Sequence, residues 1–190
     1  MGFVTVLLLS LGLSMDAFAV SISNALCYDN MTHKQGTLNA LCFGIFQGIM
    51  PLLGYFAGRL FAGPIQALDH WIALVLLGFI GGKMLVEGIR ALKQPESCPQ
   101  GRQFGLKSMV IQAVATSIDA LAVGISLVAF SANIFSTVAI IAVITFVMCM
   151  IGAFLGRTVG PLLGDWAQIA GGIILVGIGL KIFIEHMMGG

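Results

Sequence analysis

The sequence predicts an all-α integral membrane protein of six transmembrane helices, arranged as two inverted-topology repeats of three. Three observations carry that prediction. Of 190 residues, 58% are hydrophobic and only 9% charged, against about 25% charged in soluble domains, so a soluble fold would lack the polar surface to cover itself. Uncharged or nearly uncharged stretches long enough to cross a bilayer recur along the chain. Two of them hold a lone Asp in matching surroundings, Ser14-Met15-Asp16-Ala17-Phe18-Ala19 and, 103 residues later, Thr116-Ser117-Ile118-Asp119-Ala120-Leu121-Ala122.

Hydropathy places the spans at about 3–26, 37–61, 70–92, 106–129, 133–157 and 165–187. The first begins at Phe3 and holds no ionisable group but Asp16 before Cys27. Ala17-Phe18-Ala19 resembles a signal-peptidase site, yet a basic leader region is missing and the apolar run continues to Leu26, so the segment reads as a retained span. Span 2 contains Gln47 and, four residues on, Pro51, among Gly44, Gly48 and Gly54. A mid-span proline frees a carbonyl of the preceding turn, so a break there is expected to present oxygen to the site. Gly63-Pro64 marks the second connection. Residues 93–105, with Pro95, Glu96, Pro99 and Arg102, form the only long polar loop and read as a linker. The halves are thus 1–92 and 106–190.

The halves match beyond their aspartates. Leu53-Gly54-Tyr55-Phe56-Ala57-Gly58-Arg59 corresponds to Ile151-Gly152-Ala153-Phe154-Leu155-Gly156-Arg157 at an offset of 98, and Lys83 and Glu87 correspond to Lys181 and Glu185 at the same offset. Three spans is an odd number, so a second copy enters the membrane upside down, as in many secondary transporters. If the spans alternate, Lys34, Arg90, Lys93, Arg102, Lys107 and Arg157 fall on one side. That side is expected to be cytoplasmic, with both termini on the other.

The net charge of +1 gives no electrostatic case for nucleic acid. Cys27, Cys42, Cys98 and Cys149 have no metal spacing and read as small hydrophobes rather than a disulfide framework. His33, His70 and His186 lie in or near loops without helical pairing and are assigned no metal.

An ionisable group in hydrocarbon marks a pathway or a paired contact. Asp16 and Asp119, converging across a pseudo-twofold axis, suit a hard divalent cation. Further oxygen is at hand on Ser14, Thr116, Ser117 and Gln47. The blander alternative, that each Asp bonds a neighbouring hydroxyl and only locks packing, leaves its duplication unexplained. Met15 could add a thioether, but adjacent helical positions diverge by about 100°. Lys83 and Glu87 lie four apart on one face, as do Lys181 and Glu185, and read either as interfacial ion pairs or, more sharply, as a charge-balancing Lys83 with Glu87 a gate ligand. Arg59 and Arg157 read as interfacial anchors.

Ser-Met-Asp-Ala-Phe-Ala in span 1, Gln47 with Met50-Pro51-Leu52-Leu53-Gly54 in span 2, Gly81-Gly82-Lys83-Met84 with Glu87-Gly88 in span 3, and Thr116-Ser117-Ile118-Asp119-Ala120 in span 4 resemble the bacterial MntP manganese efflux pump family, within the LysE-type exporter superfamily. The resemblance implies export of Mn²⁺ from the cytoplasm across the inner membrane by a transporter, not an enzyme. The inverted repeats add the expectation of alternating access, and two nearby carboxylates that hold protons when the metal is absent add that of proton antiport. The resemblance puts the family's motif aspartates on Asp16 and Asp119. Some relatives carry Glu at Gln47 and Arg at Lys83. No cofactor, nucleic acid or protein partner is implied beyond the cation and the lipid bilayer. An exporter of amino acids or another small organic solute is the alternative within the superfamily.

Overall fold

The computed structural model describes residues 3–28, 31–60, 69–93, 104–129, 133–159 and 161–188. Its helices are α1 (Phe3–Cys27), α2 (His33–Leu60), α3 (Asp69–Lys93), α4 (Leu106–Ser126, continued by a 3₁₀ turn at Leu127–Ala129), α5 (Ile134–Val159) and α6 (Pro161–Met188). Five of them, all but α3, are long and apolar enough to cross a membrane. The 25 residues of α3 have Lys83, Glu87, Arg90 and Lys93 in their second half.

In a lipid solvent, large apolar side chains gain nothing by turning inward, and close packing falls to small residues. The buried face of α2 includes Gly36, Ala40, Gly44, Gly48, Gly54 and Gly58. Its outer face carries Leu38, Leu41, Ile45, Ile49, Leu53 and Phe56. Helix α1 is the most enclosed, with Ser10, Gly12, Ser14, Asp16, Ala17 and Ser21 among its buried residues.

The crossings come in pairs. A Cβ at Gly54 would collide with the Leu121 carbonyl, and one at Gly58 would come within 2.9 Å of Val128, locking α2 against α4. A Cβ at Gly152 would lie 3.0 Å from the Phe18 carbonyl, and one at Gly156 2.8 Å from Ala25, locking α5 against α1. These residues are the counterparts predicted from sequence: Gly54 and Gly152 differ by 98, Phe18 and Leu121 by 103. Helices α3 and α6 meet likewise, Gly81 facing Gly172 and Val176 while Gly179 faces Leu74, Leu77 and Gly78.

The contacts also fix direction. Asn39 reaches Ser21 and Gln47 reaches Leu13, so α2 runs against α1. Gly54 and Gly58 meet Leu121 and then Ile125 and Val128, so α2 runs with α4. Helices α1 and α4 therefore run in opposite directions.

Several expectations are corrected or displaced. Helix α2 does not break at Pro51 but runs unbroken from His33 to Leu60. Pro51 seats directly on Gly124, where the absent Cβ leaves room for its backbone. Cys42 and Cys149 are free, whereas Cys27 is disulfide-bonded, against the reading of all four as unpaired small residues. Spacing along a chain does not report which cysteines the fold brings together. Gly63-Pro64, Cys98 and nearly all of the linker 93–105 lie outside the described residues, as do the side chains of His70, Arg157, Glu185 and His186.

Gly124→Ala should destabilise the protein by at least about 1–3 kcal/mol, the usual cost of overpacking. Gly78→Ala, with open space where its Cβ would stand, should be neutral or stabilising by up to about 1 kcal/mol. Thermal unfolding in detergent checks the pair; equal effects would remove the crossing from its structural role.

Candidate functional site

Asp16 sits mid-way along α1, 9% exposed, and its Oδ1 accepts a hydrogen bond from the Ala17 backbone N–H at 2.6 Å. Asp119 occupies the matching place on α4. Its two carboxylate oxygens both receive the Lys83 ammonium of α3 at 3.3 Å. This ion pair is partly open, the side chains being 14% exposed at Asp119 and 41% at Lys83.

The two acids lie at one level. Asn24 of α1 and Gln112 of α4 exchange amide hydrogen bonds at 2.9 and 3.1 Å. Because the helices are antiparallel, moving eight residues back along α1 and eight forward along α4 brings Asp16 opposite Ala120, the neighbour of Asp119. Asp16 accordingly feels the charges of both Asp119 and Lys83.

Gln47 reaches the same place from α2. Fully buried, it donates from Nε2 to the Leu13 carbonyl at 2.7 Å, while its Oε1 has no partner. Pro51, four residues on, removes the donor that the Gln47 main-chain carbonyl would otherwise have. Polar oxygen is thus left uncommitted beside the turn of α1 that carries Asp16.

The remaining candidates are less direct. Ser14 donates its hydroxyl to the Leu11 carbonyl, Ser117 to those of Ala113 and Val114, and Thr116 to those of Gln112 and Ala113, leaving only lone pairs available. Glu87 does not pair with Lys83, which turns to Asp119 instead; Glu87 accepts from Gln168 Nε2 of α6 at 3.3 Å. The i,i+4 pairing read from sequence lost to an interhelical partner. Arg59 lies 5.8 Å over the Tyr55 ring, as suits an anchor, and His33 stacks on Phe154. Among the described residues, no group of three or more His, Cys, Asp or Glu gathers to hold a metal ion.

A family model described as "Putative manganese efflux pump" matches residues 30–183. The chain belongs to the MntP family. Full-length relatives agree: a protein of that description in Ruminiclostridium cellulolyticum is 48% identical over 190 residues, covering all of both chains. One in Clostridium botulinum strain Loch Maree is 47% identical, across 98% of this chain and 96% of the relative. Another in Clostridium perfringens ATCC 13124 is 41% identical, with the same coverage. No solved structure matches.

Two buried residues with an unpartnered side-chain oxygen escaped the sequence reading of this MntP chain, Asn39 of α2 and Thr145 of α5. Thr145 of α5 is fully enclosed, and its hydroxyl has no partner. Its signal was present in the offset of 98, which carries Gln47 onto Thr145. The Asn24–Gln112 bridge has no such signal, because the offset of 103 places Leu127 opposite Asn24.

Removing the ammonium should leave Asp119 an uncompensated carboxylate, so Lys83→Ala should cost more activity than Lys83→Arg, which keeps the charge. Metal tolerance of cells expressing each variant at equal level is the measurement; equal tolerance would strip Lys83 of its electrostatic role.

Proposed function

We propose that this protein exports Mn²⁺ from the cytoplasm across the bacterial inner membrane by alternating access of two inverted three-helix repeats, in exchange for protons. The reading takes all six helices as spans, with both termini on the non-cytoplasmic side. The observation that carries it is the placement of Asp16 and Asp119 at one level on two sequence-equivalent helices that run in opposite directions. The cargo comes from the family, since oxygen donors alone do not separate Mn²⁺ from Mg²⁺.

Charge balance supports the exchange. A divalent cation bound by two carboxylates leaves no net charge in the bilayer, where an uncompensated one is costly. When the cation departs, positive charge must replace it. The Lys83 ammonium, already 3.3 Å from Asp119, supplies part, and protons supply the rest.

Alternation finds support in an asymmetry between otherwise paired contacts. Helix α1 packs closely on α6, with Gly12 against Leu175 and Gly171 against Met15. The equivalent approach of α4 to α3 is sparse, and the Asp119–Lys83 pair lies in the looser seam. Exchange of the two arrangements would close one route to the acids and open the other.

Asp16→Asn and Asp119→Asn should each abolish manganese resistance at unchanged protein level, and reconstituted protein should couple Mn²⁺ movement to proton flux without responding to amino acids. Full resistance in either variant would sink the two-carboxylate site. For alternation, the repeat offsets turn the Gly12–Leu175 contact into Ala115–Leu77. Cysteine pairs at these two places should cross-link reciprocally, one gaining as the other loses when Mn²⁺ is added; parallel change in both would defeat the exchange.

A further inference from the structure

We propose that Thr145 is a ligand of the transported cation, sharing with Gln47 the role of neutral oxygen donor that the two carboxylates leave unfilled. The inference rests on the cation site proposed above and names one of its residues.

A helical hydroxyl normally satisfies itself on the carbonyl three or four residues back. Ser10, Ser14, Thr116, Ser117 and Ser126 all do so here. Thr145 does not, although it is 0% exposed. Leaving such a group buried and unbonded is costly, so the sequence gains by valine at this position unless the oxygen serves another purpose. The Gln47 side-chain oxygen stands in the same condition, equally enclosed and equally unbonded. Gln47 and Thr145 are repeat equivalents, at the offset of 98 that also relates Gly54 to Gly152.

The position of Thr145 suits the role. Gly44 and Gly48 of α2 bring that helix against Ala142 and Phe146 on one side of it. On the other, Gly152 brings α5 against Phe18 of α1. Cys149, one helical turn from Thr145, is fully enclosed, and Gly152, three residues further, also meets Ser21 of α1. Thr145 therefore faces the junction of α1, α2 and α5 at which Gln47 also ends.

The chemistry requires such groups. Mn²⁺ takes hard oxygen ligands in a shell of about six, and among the described residues no third acid, histidine or cysteine joins the aspartates. Neutral oxygens complete the shell without adding charge that the membrane would penalise.

The test is titration of purified full-length protein in lipid nanodiscs with Mn²⁺, by calorimetry, beside thermal unfolding in metal-free buffer. Thr145→Val should weaken Mn²⁺ binding by at least about tenfold, at the lower end of the range for lost metal-site partners, while metal-free stability stays level or rises. Thr145→Ser should bind like the wild type. Wild-type affinity in Thr145→Val would overturn the inference, as would a loss accompanied by lowered metal-free stability and not recovered in Thr145→Ser. Asp16→Asn separates the two claims: wild-type affinity there defeats the carboxylate site itself, whatever Thr145 does.

Discussion

The rest of the structure answers to one constraint, the presence of two carboxylates inside a bundle whose outer surface is hydrocarbon. Each Asp at the centre of a membrane helix costs roughly 2.5–3.5 kcal/mol on insertion scales, so the fold must supply compensation from within. It does so differently for the two acids. Asp16 is withdrawn onto α1, the most enclosed helix, and takes a backbone N–H. Asp119 stays nearer the surface and takes a full positive charge from Lys83. Sequence-equivalent residues thus have unequal environments, which a merely structural pair has no reason to adopt.

Compensation at such short range depends on backbone proximity, and glycine makes that possible. The residues that lock α2 to α4 and α5 to α1 lack side chains at the point of contact. The large residues are displaced to the lipid face, where they satisfy the bilayer and demand nothing of the interior. Close packing and the polar centre are therefore one design problem, solved by the same small residues.

Much of this was legible in the sequence because a repeat encodes its contacts twice. The offsets of 103 and 98 paired the two aspartates, and they also relate the residues that the fold brings together at the two glycine crossings, Gly54 with Leu121 and Gly152 with Phe18. Reading failed where the two copies differ or where a local rule met a tertiary competitor. Lys83 lay on one face with Glu87, yet the acid of a neighbouring helix captured it. Pro51 carried the usual break signal, yet α2 stays intact because Gly124 admits its backbone. Thr145 was overlooked because threonine in an apolar helix commonly bonds its own carbonyls, and only the fold reveals that this one does not. The bond of Cys27 depends on a tertiary approach that spacing along the chain does not contain.

The unequal seams give the last step. In a strictly symmetric bundle, α1 would pack on α6 as closely as α4 packs on α3. Here α1 holds Gly171 and Gly12 within touching distance of α6 and its own residues, whereas α4 leaves Ile118 57% exposed one position from Asp119. If the two arrangements exchange as proposed, the energy difference between them is set by the residues at which the halves differ, such as Gly12 against Ala115 and Met15 against Ile118. Lys83 has its counterpart in Lys181 and lies on the α3 side of the looser seam. Its ammonium is held by Asp119 across the looser seam, so a cation arriving between the acids competes directly with the contact that spans α3 and α4. In the proposed mechanism, occupancy of the site and the choice between the two arrangements would thereby be coupled through a single ion pair, without any signal having to travel through the bundle.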